Sequence, residues 1–441
     1  MTDNPLTRRR FIKQSAAAGM ALWLPGAAGN LTAAAEPGEP IRLGFVGMGS
    51  RGTGLLRNVL DMEGVAVPAV CDIDVEHLER AQRLVVKSGQ PKPAGYSKGP
   101  EDYRRMVERD DLDAVITATP VDLHTPVMVA AMEAGKYGAT EVPAANTIEE
   151  CWQLVETSER TGMSCMMLEN VCYWRNVLMV LNMVQQGIFG EIIHCETGYQ
   201  HDTRYVTFGP QGELLWRARQ RKVGRNGNLY PTHAIGPAAW WMNINRGDRF
   251  SYLVSMSSKP AGLNNYIIKK FGPDHPNARL KFAQGAVNAT LIRTEKGRTV
   301  TLYYDTCLPR PYDPILRIQG TEGIYMGTLE KIYLEDRSPE EHTWEDTGEY
   351  YRRFEHPIWK ALGDTARNYG HSGGDYMELH QFIQAVRTGA QTPIDVYDAA
   401  TWSVISPLTE RSVAERSTPV DFPDFTRGRW KTERPVEFLG I

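Results

Sequence analysis

Between residues 41 and 168, short apolar runs alternate with segments of helical spacing. Ile41–Val46 reads as a buried strand, and Val65–Val70, Ala114–Ala118, a run ending at Glu141-Val142-Pro143, and Cys165–Leu168 repeat the pattern. Between them, helical spacing starts at Leu55 and recurs near Glu101–Arg109, over Pro126–Ala134 and over Ile148–Arg160. Apolar strands alternating with helices of this length predict a parallel, doubly wound sheet. Such sheets bind ligands at the carboxyl ends of their strands. Those ends carry Asp72, Val121–His124, Glu141 and Glu169-Asn170.

After a helix predicted over Asn176–Gln186 the period shortens to two. Glu191–Tyr199 alternates, and Val287–Arg293 and Thr299–Asp305 flank a Glu295-Lys296-Gly297 turn, which predicts a hairpin. Ile315–Gln319 reads as a further strand, and helices are predicted over Asp375–Arg387 and Val396–Glu415. No internal repeat or low-complexity linker interrupts the pattern. The expected fold class is α/β: a doubly wound parallel sheet over residues 36–171, then an α+β domain over 172–441 with an open, mostly antiparallel sheet.

The first 35 residues follow neither pattern. Thr7-Arg8-Arg9-Arg10-Phe11-Ile12-Lys13 sets adjacent arginines before an apolar position and a lysine. A weakly apolar stretch from Ala16 to Ala28 follows, and then the small-residue site Ala33-Ala34-Ala35. That order is the one of a twin-arginine signal peptide. It predicts export of a folded protein to the periplasm or beyond, with the twin-arginine machinery as a transient partner. Residues 1–35 carry four positive charges and one negative, so their removal takes the net charge from -4 to -7.

Of the 441 residues 42% are hydrophobic and 23% charged, as in globular chains with a substantial core. The net charge gives no electrostatic reason to expect nucleic acid or an anionic membrane as partner. No apolar run reaches the roughly 18 residues of a spanning helix. Six cysteines (71, 151, 165, 172, 195 and 307) form no CxxC pair, which argues against a disulfide framework and a cysteine-ligated zinc.

Candidate chemistry starts where Ile41–Val46 runs into Gly47-Met48-Gly49-Ser50-Arg51-Gly52. In this G-x-G-x-x-G, Gly47 makes the tight turn and Gly49 lets backbone approach a pyrophosphate. Gly52 lets helix and strand pack closely, with the helix N-terminus toward the anion. The second strand ends in Cys71-Asp72, and Asp72 lies 20 residues after Gly52. A carboxylate there binds the adenosine ribose hydroxyls and repels a 2′-phosphate, so the pattern predicts NAD rather than NADP in a Rossmann-type domain. Arg51 either weakens that exclusion or faces the pyrophosphate.

Other clusters carry less. His194 and His201 are seven residues apart, on opposite faces of a strand, and neither they nor Asp202 belong to an HExxH-like signature, so no metal is expected. His371-Ser372-Gly373-Gly374-Asp375 reads as a loop ending in a helix cap, without the nucleophile elbow a catalytic serine needs. Arg217 to Asn228, with Arg219, Arg221, Lys222 and Arg225, reads mostly as a solvated charged loop.

Together, Gly47–Gly52, Asp72, the Ala118-Thr119-Pro120 turn with His124, and Glu141-x-Pro143 resemble the glucose–fructose oxidoreductase/inositol dehydrogenase (Gfo/Idh/MocA) superfamily. Longer runs resemble glycoside hydrolase family 109, the NAD-dependent α-N-acetylgalactosaminidases. These are Glu141–Ala145, Glu169–Tyr173, Asn226–His233, Asn243–Phe250, Pro309–Tyr312 and His371–Tyr376. The likeness covers nearly the whole mature chain. Sugar dehydrogenases of the superfamily have Glu-Lys-Pro, whose lysine helps deprotonate the hydroxyl being oxidised; here that position is Val142. They also usually carry an aspartate four residues before the second-domain histidine; here it is Leu229 before His233. The nucleotide site is kept while the dehydrogenase proton machinery is altered.

The resemblance implies a redox-neutral hydrolysis. Hydride passes from sugar C3 to NAD, the resulting ketone acidifies the C2 proton, and the glycosidic oxygen leaves from C1. Water then adds, and the hydride returns. An exported enzyme has no evident NAD pool, so the cofactor is expected to be tightly bound, one per subunit. Tyr230 and His233, three residues apart at the start of a predicted helix, can face one pocket. Imidazole titrates in the range suited to proton transfer, and a tyrosine hydroxyl can bond a sugar hydroxyl.

By resemblance His233 and Tyr230 are catalytic, and Tyr199, Arg217, Tyr230, Pro231, Thr232, His233 and Tyr312 bind substrate. Ser50, Arg51, Asp72, Val121, Asp122, Leu123, His124, Glu141, Val142 and Asn170 join Gly47, Gly49 and Gly52 at the cofactor. Glu141 is expected on the nicotinamide ribose, and Glu169 and Tyr173 near the nicotinamide. The partner is a glycan or small glycoside, and dimers of this superfamily often bury the outer face of the second sheet. Two alternatives stay open: an exported sugar oxidoreductase with tightly held NAD, and a non-catalytic sugar-binding protein that retains NAD.

Overall fold

The computed structural model describes residues 38–215 and 218–440; the signal-peptide reading of residues 1–35, and Arg217, lie outside the described residues. β1 (Ile41–Val46), β2 (Val65–Cys71), β3 (Ala94–Tyr96), β4 (Ala114–Thr117), β5 (Tyr137–Thr140) and β6 (Cys165–Met167) form one sheet in the order β3-β2-β1-β4-β5-β6. Every pairing in it is parallel. The order reverses between β1 and β4, which opens a crevice at their carboxyl ends. Helices Ser50–Leu60, Val75–Lys87, His124–Glu133 and Ile148–Thr161 connect the strands. The last is framed by a Thr147/Glu150 capping box and stops at Gly162 in the left-handed region, which fixes both its ends. β5 ends before the expected Glu141, because Pro143 has no N–H to offer a ladder.

The second sheet contains β7 (Ile192–Gln200), β8 (Phe250–Ser257), β9 (Val287–Thr294), β10 (Thr299–Asp305), β11 (Arg317–Gly320), β12 (Gly323–Met326), β13 (Lys331–Leu334), β14 (Glu345–Asp346) and β15 (Val420–Asp421). Their order is β14-β13-β12-β11-β7-β10-β9-β8-β15. β9 and β10 form the expected hairpin. β7 lies beside β10 in parallel and pairs Tyr199 with Tyr304, while the other pairings are antiparallel. Along β9, Asn288, Thr290, Ile292 and Thr294 are buried while Ala289, Leu291 and Arg293 are exposed, so one face packs on helices and the other faces out.

The helix expected over Val396–Glu415 is two, Val396–Ser403 and Ile405–Ala414. Pro407 lacks the N–H that would reach the Ser403 carbonyl four residues back, so the ladder breaks there.

The Asn243–Phe250 run closes the core rather than a site. Arg246, 2% exposed, donates to both carboxylate oxygens of Asp398, at 2.8 and 2.6 Å, and to the Pro393 carbonyl at 3.0 Å. Asn245 donates to Asp398 and Thr401. Truncating one partner of a buried pair strands the other charge. Asp398→Ala should therefore cost about 3–5 kcal/mol in urea unfolding, whereas the joint replacement Arg246→Met with Asp398→Leu should cost much less. Equal losses for both would show that the pair is not what holds this segment.

Candidate active site

At the end of β1 the chain turns through Gly47, at φ 84°, and enters the helix at Ser50. A Cβ on residue 52 would fall 1.9 Å from the Gly47 carbonyl oxygen, so only glycine lets the helix start this close to the turn. Space is open over Gly49. Asp72, just past β2, accepts from the backbone N–H groups of Met48 and Asp74, which fixes its carboxylate against the loop. A loop only glycine can close, a helix N-terminus and an anchored acid form the donor set that a dinucleotide requires.

Arg51 leaves this loop. Its guanidinium pairs with Glu141, with Asp375 at 2.7 Å and with Glu378 at 3.3 Å. Burial works against its charge, but the three carboxylates outweigh it and raise the pKa. Burial likewise pushes Glu378 well above the usual carboxylate range, reinforced by Asp375. Asp375 goes the other way: burial opposes its charge, yet His371 and Arg51 hold it well below that range. The guanidinium thus ties the nucleotide loop to Glu141 beyond β5 and to helix Gly374–Thr388, and Glu141 is an ion-pair partner before it is anything else.

His371-Ser372-Gly373 is a single 3₁₀ turn ahead of that helix, with His371 Nδ1 2.8 Å from Asp375. Val121–Leu123 form another 3₁₀ turn after β4, where Asp122 accepts from Asn146. Buried His124 places its ring nitrogens 2.8 and 2.9 Å from the Pro143 and Thr119 carbonyls and so clamps the segments beyond β5 and β4 together. Burial lowers its imidazole pKa, against the opposing pull of those two carbonyls. Val142 is buried beside it.

The two sheets meet at Glu169. This fully buried carboxylate, two residues beyond β6, places Oε1 2.6 Å from His233 Nδ1 and caps its own turn through the Val171 N–H. Its other oxygen, Oε2, is buried with no hydrogen-bond partner among the described residues. His233 lies in the first turn of helix Thr232–Trp241. A Cβ at Gly236, one turn on, would fall 2.7 Å from Cys172 Sγ and 3.2 Å from Glu169 Cγ, so a glycine there brings the helix close enough for the bond. Leu229 stands where dehydrogenases carry an aspartate, and Glu169 supplies a carboxylate to the imidazole from the other sheet. Next to it, Asn170 donates to Asp375 at 2.8 Å. Tyr173 is a core residue: fully buried, it packs edge-on against Trp240 and Phe438.

Tyrosines surround His233. The ring centroids of Tyr230 and Tyr199 lie 5.0 and 5.4 Å from its own. Tyr230 precedes the helix rather than sitting in it, in a turn where Asn228 Oδ1 accepts its N–H. Pro231 caps the helix and buried Thr232 opens it. Tyr312 packs edge-on against Tyr199, His201 and Trp174, on a loop tied back to β7 by the Asp313 N–H on the Gln200 carbonyl. Tyr304 stacks beside Tyr199 from the neighbouring strand at 6.4 Å. Tyr304 escapes sequence reasoning because the parallel pairing of β7 with β10 leaves no local signal. For Glu169 a signal existed: a histidine that has lost its aspartate needs another acid.

The basic loop is not solvated throughout. Arg225 pairs with Glu410 at 2.6 Å, and Lys222 is only 5% exposed. Its Nζ donates to Thr306 Oγ1 and, at 3.4 Å, to the Tyr304 hydroxyl. Arg221 lies over the Tyr230 ring at 5.2 Å. Arg221, Lys222, Tyr230 and Tyr304 line an open cleft with Tyr199, Thr203, Thr207 and Thr306. Among the described residues no group of three or more His, Cys, Asp and Glu side chains is placed to hold a metal.

A parallel sheet with a dinucleotide fingerprint, opening onto a carboxylate-held histidine on a helix beside a second sheet, defines an NAD-binding enzyme of the two-domain oxidoreductase architecture. Residues 41–169 match the oxidoreductase family with an NAD-binding Rossmann fold, and residues 173–432 match the glycosyl hydrolase 109 C-terminal domain. The chain belongs to glycosyl hydrolase family 109 and is an NAD-dependent glycoside hydrolase.

It is 43% identical to a glycosyl hydrolase family 109 protein of Shewanella pealeana, over 91% of this chain and 89% of that one. It is 42% identical to an alpha-N-acetylgalactosaminidase of Tannerella forsythia, over 98% and 99%. Among solved structures, levoglucosan dehydrogenase in complex with NADH shares the fold at TM-score 0.67 and 21% identity, over 87% of this chain and 100% of that one. An inositol dehydrogenase homologue from Azotobacter vinelandii complexed with NAD+ does so at 0.65 and 18%, over 87% and 98%.

Glu169→Gln keeps the shape but loses the charge that orients and supports the imidazole. Turnover should fall about 100-fold or more while bound NAD is retained, as read by rate assays beside cofactor absorbance. Unchanged turnover would remove Glu169 from the working site.

Proposed function

We propose that the enzyme removes terminal α-N-acetylgalactosamine from glycans or small glycosides by a redox-neutral cycle. The observation that carries this reading is His233, held by buried Glu169 at the carboxyl edge of the nucleotide-binding sheet and ringed by Tyr199, Tyr230 and Tyr312. The substrate class is that printed for the Tannerella forsythia relative.

The Gly47–Gly52 loop, Asp72 and the turn at Val121–His124 are the residues that would hold NAD. When bound, NAD supplies an acceptor for hydride from the sugar, refilled within each turnover. The chain's own residues do the rest. With Glu169 accepting from Nδ1–H, His233 carries its lone pair on Nε2, the form that takes up a proton from substrate and returns it. The Tyr230 hydroxyl is the second proton-handling group, and the aromatic rings give the apolar face of a pyranose a surface to pack on. Val142 offers no ammonium, so proton movement falls to these groups. The cycle calls for one tightly held NAD per chain, because hydride that leaves with a diffusing cofactor cannot be put back. Residues 1–35 would direct the folded, loaded enzyme out of the cytoplasm, and the exposed outer face of the second sheet would pair two copies.

Purified protein with its native cofactor should release nitrophenol from nitrophenyl α-N-acetylgalactosaminide without added NAD or net NADH. In heavy water it should place deuterium at sugar C2. NADH build-up with the bond intact would make it an oxidoreductase; tight sugar binding without label would make it a binding protein.

Replacing Arg8 and Arg9 together by lysine should leave the protein in the cytoplasm, as read by cell fractionation. Export that continues unchanged would refute the twin-arginine route.

A further inference from the structure

The cleft beside the tyrosines holds a charge the proposed reaction does not use. Lys222 is almost wholly buried, and its Nζ meets Thr306 Oγ1, the Tyr304 hydroxyl at 3.4 Å and Cys307 Sγ at 3.6 Å. None of the three partners is a carboxylate. Among the described residues no carboxylate pairs with it, and the acids nearby are engaged elsewhere. Asp305 caps the N–H groups of Cys307 and Leu308 and lies 3.5 Å from Arg310, while Asp202 pairs with Arg204 at 2.7 Å.

Burial opposes the Lys222 charge, but Tyr304 and Cys307 outweigh it and raise the amine's pKa. A buried ammonium with hydroxyl partners alone has its donors satisfied and its charge uncompensated, a costly state that an anion relieves. Arg221 lines the same cleft, and its other walls are threonines 203, 207 and 306, tyrosines 199, 230 and 304, Val206 and Ala218. Two cations, six hydroxyls and no acid form a lining suited to an oxyanion.

We infer that this cleft is a subsite for an anionic substituent, a sulfate ester or a carboxylate, on the glycan that carries the scissile sugar. The inference rests on the glycosidase reading, because Tyr199 and Tyr230 wall both the cleft and the surroundings of His233. It makes the enzyme selective for acidic glycans over neutral ones. Lys222 supplies the charge and Thr203, Thr207 and Thr306 supply hydroxyl donors. Oxyanion and ammonium are both desolvated there, which makes their attraction stronger than at a surface.

The test compares α-N-acetylgalactosaminyl-galactose with its counterpart sulfated on galactose and its galacturonic acid counterpart, using the holoenzyme. At least one acidic substrate should show kcat/KM about tenfold above the neutral one, the worth of one charge-assisted hydrogen bond. Which of the two gains tells sulfate from carboxylate. In Lys222→Met the ratio should fall to about one, and in Lys222→Arg it should largely return; Arg221→Gln, on the cleft wall, should lower it partway. Calorimetry with inorganic sulfate should show binding to the wild type that Lys222→Met loses. Equal rates on neutral and acidic substrates, or a preference untouched in Lys222→Met and Arg221→Gln, overturns the subsite. Cleavage of none of the three glycosides, with Lys222-dependent sulfate binding, overturns the glycosidase reading and leaves the anion site standing.

Discussion

A carboxylate buried at the end of a parallel strand must find a donor or lose its charge, and in this molecule Glu169 finds His233. That 2.6 Å contact joins the nucleotide-binding sheet to the first helix over the second sheet. Gly236 supplies the clearance, and Asn170 and Arg51 carry the linkage on to helix Gly374–Thr388 through Asp375. The imidazole is therefore positioned by the same contacts that register one half of the chain on the other. A substrate-handling histidine placed in this way inherits the rigidity of the core, and its tautomer is set by a group belonging to the cofactor side.

The parallel half of the fold was legible because each of its signals is local: an apolar run, a glycine fingerprint, an acid 20 residues on, a capping box at Thr147. Strands β1, β4 and β6 lie where the pattern puts them, within a residue at their ends. In the second half the hairpin, the strands near Glu191–Tyr199 and Ile315–Gln319 and the helix at Asp375–Arg387 were legible, but their arrangement in the sheet was not. The insertion of β7 between β10 and β11, and the pairing of β8 with β9, depend on long-range contacts that no period of two announces, while β12 and β13 are short four-residue strands of a local meander. The same limit explains the site. Tyr230 and His233 are close in sequence and were found together, whereas Tyr304 reaches them through strand register and Lys222 through burial of a loop whose composition reads as solvent-exposed.

Not every distinctive run is a site. Asn243–Phe250 is as specific as the run before His233, yet its arginine and asparagine spend their hydrogen bonds on Asp398 and Thr401 inside the core. Asn226–Asn228 does both jobs. Asn226 accepts the Gly285 N–H and Asn228 is held by Thr409, and these anchors set the turn that presents Tyr230. Arg51 makes the same point within the nucleotide loop. Its backbone opens the helix, while its side chain is committed to three carboxylates, one of which, Glu378, is pushed well above the usual range by burial and by its acidic neighbours.

The altered positions acquire a common meaning from this arrangement. Val142 removes an ammonium from the strand edge, and the nearest remaining cation, Arg51, is neutralised by its own cluster. What remains beside the sugar-facing rings is the His233 imidazole and a set of phenols, of which Tyr312 is pushed up by burial and by Glu169. Groups of that kind give back what they take. The buried Glu169–His233 pair, with its lone pair on Nε2, gives the site a group that takes up a proton and returns it.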